Sequence, residues 1–88
     1  MTRDEILLRL TPIFRDIFDQ DDLELTRSTS ADDIEKWDSM NHVILIVAVE
    51  TRFGVKFQTA EIEELKNVGE LVDLIFEKMS QQTNPVGG

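Results

Sequence analysis

The sequence predicts an all-α domain, a small four-helix bundle with three long helices and one short one. Three observations lead there. Two stretches, residues 2–18 and 67–79, hold their apolar side chains at helical spacing on one face. A third apolar run, Val43–Val49, lies between an acidic loop and Gly54. The chain has 88 residues, enough for one domain with a modest core.

The first helix is expected over residues 2–18. Thr2 followed three residues later by Glu5 forms a capping-box pattern. Ile6, Leu7, Leu10, Ile13, Phe14, Ile17 and Phe18 then make one continuous apolar face. Pro12 removes a backbone donor inside that pattern without shifting its phase. A kinked helix is expected rather than two helices with Thr11 as a second cap.

Residues 19–38 read as a long loop pinned by Leu23, Leu25, Ile34 and Trp37, with a helical turn starting near Ser30. Asp19, Asp21 and Asp22 suggest calcium, but an EF-hand loop counted from Asp19 would put Glu24 at its glycine position and Ser30 at its bidentate acid. Both positions fail, and no metal site is expected.

Val43–Val49 is rich in β-branched residues and could be a buried strand by propensity. Its flanks favour a helix over Ser39–Phe53, about 22 Å long at roughly 1.5 Å per residue. Asp38 or Ser39 can cap its start, and Gly54 suits a left-handed end. Leu45, Val49 and Phe53 recur four residues apart and are assigned to the core. Seven consecutive apolar residues at about 100° each nearly encircle the axis twice, and a domain this small cannot bury a helix on every side. Val43, Ile44 and Val47 are therefore expected to form an exposed strip next to Ser39, and such strips are commonly docking surfaces. The plainer reading makes Ser39 only a cap and the strip only core.

After Gly54, Val55-Lys56-Phe57 looks extended and anchored. Thr59 is expected to cap a short helix through about Leu65, with Glu61, Glu63 and Glu64 near its positive end. Asn67 with Glu70 marks the start of the last helix, whose buried face is Val68, Leu71, Val72, Ile75, Phe76 and Met79. Residues 1–80 are read as the domain and 81–88 as a frayed tail.

Trp37-Asp38-Ser39-Met40-Asn41-His42, continued by Leu45-Ile46, Ala48-Val49-Glu50, Phe53-Gly54-Val55 and Phe57, resembles the small free-standing acyl and peptidyl carrier proteins. Asp38-Ser39-Met40 is similar to the Asp-Ser-Leu signature of that family, and the likeness covers roughly Ile6 to Met79. It implies the same four-helix fold. It also implies that Ser39 receives 4′-phosphopantetheine from coenzyme A, with Asp38 and Met40 as the rest of the signature. The arm's thiol would hold an acyl or aminoacyl cargo as a thioester. The implied partners are a phosphopantetheinyl transferase, a loading ligase and downstream acyl-transfer enzymes, gripping Val43, Ile44, Val47 and Glu50. Carriers of fatty-acid synthesis often have acids where this chain has Asn41, Ile44 and Arg52. That departure points to a specialised lipid, polyketide or nonribosomal-peptide pathway. Without modification, the same chain would be an acidic helical adaptor binding through residues 43–47.

Composition limits the alternatives. The formal net charge is −9 and the pI about 4.4. Such a balance disfavours nucleic acid and anionic membrane surfaces and suits a partner with a basic patch. Of 18 acids, 11 precede Ser39, so the charge is concentrated in the first half of the chain. There is no cysteine for a disulfide, a nucleophile or a thiolate metal site. No apolar stretch reaches membrane-spanning length, and a cytoplasmic monomer is the expectation. Ser39 and the single histidine, His42, are three apart, but His42 is expected on the solvent side without an orienting acid. The sequence thus reads as a substrate and shuttle, not an enzyme.

Overall fold

The computed structural model describes residues 1–82. Four helices follow in order: α1 (Arg3–Phe18), α2 (Ser39–Phe53), α3 (Thr59–Glu63) and α4 (Val68–Gln82). There is no strand among the described residues. α1 packs against both α2 and α4, with Ile6, Leu10, Phe14 and Phe18 fully buried between them. Burying each such side chain contributes roughly 1.5–3 kcal/mol.

The capping box at Thr2 forms in both directions: the Glu5 N–H donates to Thr2 Oγ1 at 3.1 Å and the Thr2 N–H donates to Glu5 Oε1 at 3.0 Å. α1 runs unbroken through Pro12. The carbonyl that Pro12 cannot serve belongs to Leu8, which is exposed, as is Pro12 itself, so water can take the vacant acceptor. The helix ends at Asp19, which takes a left-handed φ of 53°, a conformation that a short polar side chain tolerates.

The loop from Asp19 to Asp38 is held as the sequence suggests. Leu25 and Ile34 are buried, and Leu23 and Trp37 pack against the core. Two further attachments run through backbone. Thr29 and Arg27 carbonyls accept from the Val68 and Gly69 N–H groups, each at 2.8 Å, and so cap the start of α4 from the loop. A Cβ at Gly69 would stand 2.8 Å from the Arg27 carbonyl oxygen, which is why glycine occupies this close approach. Asp73 on α4 then binds Arg27 Nη2 at 2.8 Å and Arg3 Nε at 2.9 Å, joining loop, α1 and α4 at the surface.

α3 departs from expectation at both ends. Thr59 is its first residue rather than its cap; Gln58 holds the cap position, and its N–H donates to Glu61 Oε1 at 2.8 Å. The helix stops at Glu63 rather than Leu65, leaving Ile62 and Leu65 only partly buried and no residue of α3 fully so. Asn67 Oδ1 accepts from the Glu70 N–H at 2.9 Å as expected, but the Glu70 carboxylate reaches back one residue further, to the Lys66 N–H at 2.7 Å. α4 runs through Gln82, past the expected limit at residue 80. The remaining tail, 83–88, lies outside the described residues.

Candidate functional site

The site is built at the start of α2. Asp38 takes the cap position in extended conformation, and its Oδ1 accepts from the Asn41 N–H at 2.9 Å. Its carbonyl accepts from the His42 N–H at 2.8 Å, the first helical bond. Of the two capping candidates, the acid caps and the serine does not. Ser39 is exposed, and its hydroxyl makes no hydrogen bond among the described residues. The N–H groups of Ser39 and Met40 also lack a protein acceptor there, as the opening donors of a helix do.

Trp37 fixes the approach to this turn. Its ring meets Phe14 edge-on at 5.3 Å and lies 6.1 Å from Phe18, tying the loop to α1. Its other neighbour is His42, stacked at 6.0 Å, and the indole Nε1–H donates to His42 Nδ1 at 3.0 Å. This corrects the expectation that His42 lies on the solvent side: it is half-buried and engaged. The geometry also disposes of a Ser-His hydrolase. In a catalytic triad an acid accepts from Nδ1–H, which leaves Nε2 free to take the serine proton. Here Nδ1 is the acceptor, so the neutral ring carries its hydrogen on Nε2 and has no base to offer Ser39.

Beyond the first turn, α2 has two opposed apolar faces. Leu45, Ile46, Val49 and Phe53 are buried. Met40, Val43, Ile44 and Val47 are 74%, 61%, 49% and 55% exposed. At about 100° per residue, each set spans an arc of roughly 100°, centred on opposite sides of the axis. Met40, expected only as part of the serine signature, thus joins the exposed strip. Glu50, expected with that strip, has a second engagement. It is half-buried, and its Oε2 accepts from the Phe57 N–H at 2.9 Å, bracing the extended segment after Gly54. Gly54 itself is left-handed, with φ of 67°.

Between the start of α2 and α3 lies a groove of about 800 Å³, lined by Trp37, Ser39, His42, Val43, Ile62 and Leu65 among others. The sequence did not foretell it, because it depends on how α3 sits. Glu61 on α3 pairs with Lys78 on α4 at 2.9 Å. The Lys78 ammonium, with the Gln58 N–H, holds the Glu61 carboxyl below the usual range. Among the described residues no cluster of His, Asp or Glu could hold a metal ion, and no helix is long and apolar enough to cross a membrane.

The described residues thus form a helical bundle that presents an unengaged serine at a helix start, beside an apolar face the bundle leaves exposed. Known proteins share this chain's sequence pattern and fold. The model of the phosphopantetheine attachment site family matches residues 9–75. An acyl carrier protein of Petrotoga mobilis is 35% identical over 80 residues, covering 91% of this chain and 94% of its own. The solution structure of holo acyl carrier protein from Geobacter metallireducens superposes with a TM-score of 0.85 at 48% identity, covering 91% and 92% of the two chains. A Thermotoga maritima acyl carrier protein, 18% identical, shares the fold at a TM-score of 0.79 over 90% and 92%. The chain belongs to the acyl carrier protein family, whose cofactor is covalent 4′-phosphopantetheine. It is a carrier and not a catalyst.

Proposed function

We propose that Ser39 is the attachment point of the arm and that Met40, Val43, Ile44 and Val47 form the face partner enzymes grip. The observation that carries this is the exposed, unengaged Ser39 hydroxyl on the helix start that also bears the strip. The residues fit the group. The phosphate would hang at the positive end of α2, within reach of the open Ser39 and Met40 N–H groups. Asp38 is already occupied as the cap, so losing the serine hydroxyl costs the helix little. Once attached, the arm supplies a thiol that holds cargo as a thioester. The chain contributes the anchor, the helix and the docking face. Nothing near Ser39 activates its hydroxyl, so a phosphopantetheinyl transferase must supply base and metal.

The partners we infer are that transferase, an acyl- or aminoacyl-loading ligase and downstream transfer enzymes, met in the cytoplasm by a monomer. The outward face of α2 carries no charge from Met40 to Val47, where fatty-acid carriers often show acids. This supports dedicated partners in a specialised lipid or secondary-metabolite pathway. Intact-mass measurement after incubation with coenzyme A and a promiscuous phosphopantetheinyl transferase tests the reading. A gain of one phosphopantetheine, lost in Ser39→Ala, is expected. No gain beside an active control carrier would overturn it in favour of an unmodified adaptor working through residues 43–47.

A further inference from the structure

We propose that His42 donates its Nε2–H to the phosphate carried on Ser39, and that Trp37 is the positioning residue that keeps the ring in the tautomer able to do so. The proposal rests on Ser39 being the attachment point. An indole N–H is only a donor, so the nitrogen it meets must be an acceptor. With Trp37 Nε1 at 3.0 Å from His42 Nδ1, the hydrogen of the neutral ring is confined to Nε2. That N–H has no partner among the described residues. The ring cannot swing away freely, because it is stacked on Trp37, and Trp37 is wedged against Phe14 and Phe18.

Ser39 and His42 stand three apart on one helix, where Cβ atoms are about 5–6 Å from one another. Both line the groove between α2 and α3. A phosphodiester on the Ser39 oxygen brings acceptor oxygens forward into the span one imidazole covers. The anion needs donors here, because Asp38 and Glu63 line the same groove and repel it. Lys66, also on the groove, is the competing cation and sits on an exposed segment after α3. A neutral donor on a braced ring orients the arm's root without adding a charge that a passing partner would have to desolvate.

The test is long-range ¹H–¹⁵N spectroscopy of the imidazole in the full chain, before and after loading from coenzyme A, in mildly alkaline buffer. Intact mass confirms loading, so failure of attachment at Ser39 is seen separately. The expected result is the Nε2–H tautomer in both forms, with the Nε2–H proton shifted downfield on loading. Imidazole signals that are identical in the two forms, as when the phosphate turns to Lys66, would overturn the contact. Trp37→Phe keeps an aromatic ring against Phe14 and Phe18 but removes the N–H. It should let the second tautomer appear and shrink the loading shift. A Trp37→Phe variant of unchanged melting temperature and unchanged tautomer would overturn the positioning role.

Discussion

α2 and α4 are each 15 residues long, and they use their apolar residues differently. α4 turns Val68, Leu71, Val72 and Ile75 inward and carries Glu70 and Glu77 on its exposed side. All four of those apolar residues go into the core. α2 buries four residues as well, then exposes Met40, Val43, Ile44 and Val47. Exposed apolar area contributes nothing to folding and promotes association, so the second face of α2 needs an explanation outside stability. α4 is a helix shaped by the core alone; α2 is shaped by the core and by what meets it.

Substitutions can break this contrast, and the largest effect should come from Leu45→Glu. Leu45 is fully buried, and an unpaired carboxylate there should unfold the domain, seen as loss of helical circular dichroism. Truncating the core at Phe14→Ala should cost roughly 3–5 kcal/mol and Ile75→Ala about 2–5, lowering the melting temperature sharply or abolishing the transition. Parental melting in both would mean the buried faces are misassigned. Ile44→Glu, one residue from Leu45 on the outer face, should leave the melt nearly unchanged. Transfer from the cognate loading enzyme at subsaturating concentration should fall by about tenfold, because the new charge must be desolvated against an apolar partner. Parental loading by that variant would remove the strip from the docking surface.

The smallest effect concerns Asp73, which anchors α4. The Arg27 guanidinium, and then Arg3, hold its carboxyl below the usual carboxylate range. The unfolded chain therefore binds a proton more readily than the folded one, and stability rises with pH across that range. The contribution is complete above the ordinary aspartate value and is lost as pH falls through the depressed folded value. Asp73→Asn should thus cost less than about 1 kcal/mol at neutral pH, since the pair is screened by water. The gap between variant and parent should close in acid and narrow in high salt. A gap that persists in acid would assign the loss to something other than charge.

What could be read from the chain follows the same division. The bounds of α2 were legible to the residue because Asp38 and Gly54 are strong punctuation on either side of the run. Its inner and outer faces were legible from the four-residue recurrence of Leu45, Val49 and Phe53. The short helix was less so: Gln58 caps through its backbone N–H and Glu61, a role that Thr59 appeared better suited to fill. The brace from Glu50 to Phe57 and the capping of α4 by Arg27 and Thr29 carbonyls were hidden, because they depend on loop paths rather than on any periodicity. His42 was misread for the same reason. Only the folded loop brings Trp37 back over it.

That loop gives the molecule one more property. Trp37 is the sole tryptophan, and the chain has no tyrosine. Its indole touches α1 on one side and, through His42, the turn that holds Ser39 on the other. Emission excited at the red edge of the absorption band, where phenylalanine does not absorb, therefore comes from one indole, which lines the same groove as Ser39. Loading the arm, exchanging cargo or seating a partner on the first turn of α2 can be followed by intrinsic fluorescence in unlabelled protein, without a dye on the surface that partners must recognise.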